Sequence, residues 1–150
     1  MNSMWSRQIY FDLDRLRLND PCENGVIRLE RSLGRTTGKL PVLNALKLWK
    51  DGDILYSDIL WGFKVLDNPI EMILRWVPVL GACKGLERMS PGRAVAWLQQ
   101  RVAEVLSDRT QALYSEWMAE HGPGWASLDM PEFGVQVELE LIEELIEWCR

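Results

Sequence analysis

Hydrophobic positions recur along the chain at two spacings, and the choice between them sets the predicted elements. Over residues 8–18 both are present. Ile9, Phe11 and Leu13 alternate as in a strand, while Trp5, Ile9, Leu13 and Leu16 fall on one helical stripe, and the segment is assigned to a helix. Asn19-Asp20-Pro21 and Glu23-Asn24-Gly25 then read as a turn, and the Asn-Gly step leaves room for a hairpin into residues 26–29. A polar linker, Arg35-Thr36-Thr37-Gly38-Lys39, follows Gly34. Pro41 opens a helix to about residue 50 with Leu43, Leu46 and Trp49 on its buried side; Asp51-Gly52-Asp53 stops it, and a second helix is predicted over 54–66.

The clearest local signal is Asn68-Pro69-Ile70-Glu71: a capping side chain, a proline at the first helical position, and a Glu placed to reach back to the cap. That helix carries Met72, Ile73, Trp76 and Val77 until Pro78 kinks or ends it. Ser90-Pro91 repeats the start signal and opens the longest helix, with Val95, Leu98, Val102, Val105 and Leu106 at helical spacing. Ser107 or Asp108 either recaps a new helix ending at His121, or the two run on as one rod. Residues 122–134, rich in Gly and Pro, predict a long irregular loop. A last helix, about 135–149, sets Leu141, Leu145 and Trp148 on one face with Ile142, Ile146 and Cys149 alongside, although Val135, Val137, Leu139 and Leu141 alternate well enough to start a strand. The expected fold is therefore mainly α, a compact array of five to seven helices in a single domain over 1–150, with room for a small N-terminal β-hairpin.

Composition changes this picture in three respects. Of 150 residues 47% are hydrophobic, so a packed core is expected and disorder is not. Eight tryptophans, about one per predicted element, suit a core spread over several elements, and two or three at a binding surface would suit an interface, where Trp is enriched. The cysteines Cys22, Cys83 and Cys149 are odd in number and far apart, which supports neither a disulfide framework nor a zinc site. Residues 1–7 lack the basic leader and apolar run of a secretory signal, and the most apolar stretch, 54–83, is interrupted by charges and prolines. The expectation is a cytoplasmic protein with reduced thiols, Cys149 the most reactive of them, and no membrane contact.

Charge is unevenly placed. The net charge is −5, yet residues 1–50 hold nine Lys/Arg against five Asp/Glu, and residues 101–150 hold three against eleven. Direct nucleic-acid binding is not expected of such a chain. The two ends either fold against each other or leave an acidic face for a basic partner.

The search for chemistry returns little. Gly34 to Lys39 approaches a phosphate-binding loop, but the glycine spacing is one residue short and Leu40 stands where a metal-binding hydroxyl is needed. His121 is the lone histidine, which removes paired-histidine metal sites; before Gly122 it suits a helix C-terminus. Asp12 with Asp14, and Asp51 with Asp53, are acid pairs by proximity, each better explained as caps and turns. No cofactor is implied and no enzyme is expected. Glu138, Glu140, Glu143, Glu144 and Glu147 crowd the last helix. Like charges at helical spacing repel one another, and a basic partner would relieve that cost. The leading expectation is thus a protein that binds another protein with a basic surface, an inhibitor or immunity-type factor, through Trp125, Glu140, Glu143, Glu144, Glu147 and Trp148. An adaptor or structural subunit, including a homo-oligomer, stands second, and a small cofactor-free enzyme using carboxylates third.

Overall fold

A computed structural model describes residues 9–18, 23–35, 37–66, 68–121 and 132–149. The readings on Trp5, on the turn at 19–22 with Cys22, and on the loop at 122–131 with Trp125 lie outside these residues.

The first described segment satisfies both spacings in succession. Tyr10–Asp12 is a strand, β1, and Leu13–Leu18 is a helix, α1. The switch happens at Asp12, whose Oδ1 accepts hydrogen bonds from the backbone N–H groups of Asp14 (3.1 Å) and Arg15 (3.3 Å), so Asp12 acts as the cap of α1. The small N-terminal antiparallel pair is present, but not through the Asn24-Gly25 turn that the sequence left open for it. Glu23–Leu33 is a helix, α2, and the partner of β1 is a later strand, β2, Lys39–Pro41, paired antiparallel with Phe11 opposite Leu40. Gly25 sits inside α2 because a Cβ there would meet the Trp61 ring at 3.0 Å and Asp58 Oδ1 at 3.0 Å. Close approach, and not a turn, selects that glycine.

From Pro41 onward the elements follow the sequence more closely. Val42–Lys50 forms α3, with Val42, Ala45, Leu46 and Trp49 buried at i, i+3, i+4 and i+7 and Leu43 only half-buried. Gly52 leaves it with φ of 81°. Tyr56–Phe63 is α4, shorter at both ends than expected; Asp58 Oδ2 accepts from the Leu55 N–H at 2.9 Å and starts it. Pro69–Arg75 is α5, and Asn68 Oδ1 accepts from the Glu71 N–H at 3.3 Å. The Glu71 carboxylate turns to Arg75, 3.7 Å away, instead of reaching back to the cap. Pro78 divides the run, falling in the first turn of α6, Val77–Leu80. After a 3-10 turn at Leu86–Arg88, Pro91–His121 is one continuous helix, α7, of 31 residues, with Ser90 Oγ accepting from the Arg93 N–H at 3.3 Å and no recapping at Ser107 or Asp108. Phe133–Glu147 is α8, helical from its first turn. The described residues thus contain eight helices and one two-stranded sheet, a mainly α fold.

All eight helices contribute to one core. The last helix, α8, packs between α3 and α7, α5 lies on α7, β1 and α1 close over α4, and β2 lies against α3 and α1. Phe63 meets Phe11 edge-on with centroids 5.8 Å apart and Trp76 at 5.4 Å. Trp49, Trp61 and Trp76 are core residues, Trp97 and Trp117 are half-buried, and Trp148 is exposed. Arg28 donates to both carboxylate oxygens of the buried Asp58 (2.7 and 2.8 Å), tying α2 to α4. No helix among the described residues is long and apolar enough to cross a membrane; α7 has the length, but not the apolarity.

Candidate functional site

Four of the five glutamates of α8 occupy the side turned away from the core. Its buried arc is Val137, Leu141, Ile142, Leu145 and Ile146; Gln136, Glu140, Glu143, Glu144 and Glu147 are exposed. Two of these glutamates meet cations of neighbouring helices. Lys50 of α3 lies 2.9 Å from Glu143, and Arg109 of α7 pairs with both oxygens of Glu144. Glu140 accepts from Gln136 Nε2 at 3.2 Å. Glu138, on the inner edge, accepts from Trp49 Nε1 at 2.7 Å, and the Trp49 ring stacks on Tyr56 at 5.3 Å. The basic first third and the acidic last third of the chain therefore do meet, but incompletely. Glu147 lines an open trough of about 470 Å³ between α3 and α8 together with Lys47, Lys50, Asp51, Glu143 and Ile146.

Of the residues expected at the site, Glu140, Glu143, Glu144 and Glu147 share one exposed side of α8, and Trp148, 45% exposed, follows at its C-terminal end. Trp125 lies outside the described residues.

A second feature, not found from the sequence, lies at the other end of the same two helices. The buried positions of α7 stop at Val105, whereas its apolar stripe continues through Leu106, Leu113, Tyr114 and Trp117, all half-buried. Tyr114 meets Phe133 of α8 edge-on at 4.9 Å. Beside them lies a shallow cleft of about 490 Å³ with a mixed lining, Leu106, Tyr114 and Val135 beside Ser107, Thr110 and Gln111, and Glu132 and Glu138 on the α8 side. Val135 is 55% exposed there. The continuing i, i+3, i+4 stripe was a legible signal; that α8 leaves it partly uncovered was not.

The remaining chemical candidates take structural roles. Asp14 Oδ2 accepts from the Gly38 N–H at 3.3 Å, and Asp51 and Asp53 are exposed in the turn after α3. Arg35 folds over its own loop onto the carbonyls of Thr37 and Lys39, and Lys39 belongs to β2. His121 Nδ1 lies 2.9 Å from the Trp117 carbonyl in the last turn of α7, and its ring stacks on Trp117 at 4.6 Å. Cys149, expected to be the reactive thiol, is half-buried, and burial pushes its pKa from 9.0 up to about 11 against the opposing pull of the Trp76 indole and the Arg75 guanidinium. It is a poor nucleophile at neutral pH, which corrects that expectation. Burial also raises the Tyr56 hydroxyl. Among the described residues no three His, Cys, Asp or Glu side chains converge as metal ligands.

No protein-family model matches the chain, and no curated protein or solved structure gives a significant match to it.

Proposed function

We propose that this protein acts by binding another protein, as an inhibitor or immunity-type factor that covers a basic active site or nucleic-acid-binding surface. The observation that carries the reading is the exposed carboxylate row of α8, across which only Lys50 and Arg109 are paired among the described residues. Exposed pairs of this kind contribute little to stability, about 0–1 kcal/mol, so a partner's cations can replace them at small cost. Surplus negative charge of this kind speeds encounter with a basic surface and discourages acidic ones, nucleic acid included. Trp148, exposed at the end of the row, supplies an apolar contact, and Trp125 joins the proposal on its sequence position alone.

The test is a photo-crosslinking amino acid at Gln136 in the protein expressed in its source cell, with the same group at Gly92 as control. A discrete conjugate specific to Gln136, lost when Glu140, Glu143, Glu144 and Glu147 are all changed to Gln, is the expected result. Conjugates identical at both positions, or untouched by the Gln set, would overturn the reading. With the partner in hand, the Gln set is expected to slow association about tenfold at low salt and to flatten its salt dependence.

A further inference from the structure

Seven large apolar side chains are exposed among the described residues, and three of them, Val135, Leu139 and Trp148, stand on α8 or at its C-terminal cap. A single exposed aliphatic residue is ordinary on a protein surface, but Val135 and Leu139 are neighbours at i, i+4 on the helix that also carries the carboxylate row. Resting on the protein-binding reading above, we propose that the partner grips α8 as a ridge, with an apolar hollow over Val135 and Leu139 and cations one to two turns further along, over Glu143 and Glu147.

Helical spacing sets the order of the ridge. Val135, Leu139, Glu143 and Glu147 form one i+4 row, and Gln136, Glu140, Glu144 and Trp148 form the row beside it. All of these residues are exposed, because the buried arc belongs to Val137, Leu141, Ile142, Leu145 and Ile146. At 1.5 Å per residue the ridge runs about 20 Å, and Glu143 and Glu147 stand about 6 and 12 Å beyond Leu139. The first row thus changes character halfway, from two aliphatic side chains to two carboxylates. The core does not account for the aliphatic pair, since Val135 is 55% and Leu139 39% exposed. Helix propensity does not call for Val135 either, because a β-branched residue is a poorer helix former than the Lys, Gln or Glu of an ordinary solvated position.

The two halves constrain the partner differently. Covering Val135 and Leu139 takes matching shape and is nearly indifferent to salt, whereas Glu143 and Glu147 take opposite charge. A wholly apolar groove would strip water from the carboxylates without repayment, and a wholly basic surface would leave the aliphatic pair wet. The cations that hold Glu143 and Glu144 in the free protein, Lys50 and Arg109, are in exposed pairs and exchange at small cost. A second copy of this chain does not meet both demands. Two α8 helices in parallel register set carboxylate on carboxylate, and an antiparallel crossing centred on Val135 and Leu139 covers that pair but leaves the carboxylates outside the contact. A foreign surface with an apolar hollow rimmed by Lys or Arg on one side meets both.

The test applies the Gln136 photo-crosslink to further variants of the full chain. One combines Val135→Ser with Leu139→Gln, a second is Leu139→Met, which keeps the apolar surface, and the control combines Leu18→Gln with Ile27→Gln, two side chains exposed elsewhere. The conjugate should fall about tenfold in the first variant and stay within about twofold in the other two, with the denaturation midpoint unchanged in all three. With the conjugated partner isolated, the Val135 and Leu139 variant should dissociate about tenfold faster while its association rate and salt dependence stay within about twofold, the reverse of the Gln set. A conjugate undiminished in the Val135 and Leu139 variant overturns the ridge, and the protein-binding reading still stands in that case if the Gln set removes the conjugate. A lowered midpoint in that variant assigns the pair to the fold, and slowed association with unchanged dissociation assigns its effect to the charge row; either overturns the proposal. A dimer of the chain alone that Leu139→Gln converts to a monomer gives the pair to a second copy and overturns it as well. A chain of natural sequence at every other position that yields no conjugate from Gln136 overturns both the ridge and the broader reading.

Discussion

Gly25 gives the sharpest test at the scale of single residues, because two effects there have opposite signs. By helix propensity alone, alanine in the first turn of α2 would stabilise the protein by up to about 1 kcal/mol. The new Cβ, however, would sit 3.0 Å from the Trp61 ring and 3.0 Å from Asp58 Oδ1. Neither yields freely, since Trp61 is buried and Asp58 is held by Arg28 and the Leu55 N–H. Overpacking should win, so Gly25→Ala is expected to lose about 1–3 kcal/mol in urea unfolding; a gain would mean that α4 moves aside. Asn24-Gly25 looked like a turn because the reason for its glycine lies on a distant helix, which no local pattern carries. Cys149 was misjudged for a similar reason, since closeness to a chain end says nothing about burial against the core, which outweighs the opposing pull of Trp76 and Arg75. Its folded pKa, about 11, is above the ordinary 9.0, so the folded state favours the neutral thiol. That stabilisation is complete below pH 9 and is lost as pH rises to about 11, with Tyr56 acting in the same direction. Stability should fall over that window by about 2 kcal/mol, less in Cys149→Ser, and maleimide labelling at Cys149, followed by peptide mapping, should be about a hundredfold slower at pH 8 in the native protein than in the unfolded chain.

Elements whose signals are local were legible, and those that depend on a partner were not. Asn68-Pro69-Ile70-Glu71 placed the start of α5 to the residue, because the cap, the proline and the first-turn N–H are all within one turn. Asn68→Ala should therefore cost about 1 kcal/mol, seen as a lower denaturation midpoint with an unchanged slope. Ser90-Pro91 and Asp51-Gly52 worked in the same way for α7 and α3. The N-terminal sheet did not, since Tyr10–Asp12 is a strand only through Lys39–Pro41 on the far side of α2, and the Asp12 cap then converts the chain to helix. Within α7 the burial pattern makes a further prediction. Ala94, Leu98, Val102 and Val105 are buried, and no position beyond them is. In native-state hydrogen exchange the amides of 107–121 should open at least about tenfold faster than those of 94–106, although one helix contains both. Uniform protection along α7 would contradict the thinner cover of its second half.

On the scale of the whole molecule, the carboxylates of α8 were visible in the sequence because composition alone concentrates them there. The cleft was not, because it arises where α7 outruns the helices that bury its first half, a matter of relative position that Leu106, Tyr114 and Val135 do not announce individually. The charge asymmetry of the chain is partly spent within the fold at Lys50 with Glu143 and Arg109 with Glu144, and the remainder faces outward. Trp148 stands at that outward end, 45% exposed, directly after Glu147 and one turn beyond Glu144. An indole so placed samples its ionic surroundings by collision. Caesium, gathered by the carboxylates, would quench its emission more often than iodide, which the same field turns away; Trp49, Trp61 and Trp76 are buried out of reach of both ions, and Trp148→Phe gives the contribution of the other tryptophans to subtract. The contrast between the two quenchers makes this tryptophan an optical gauge of the sign of the local field.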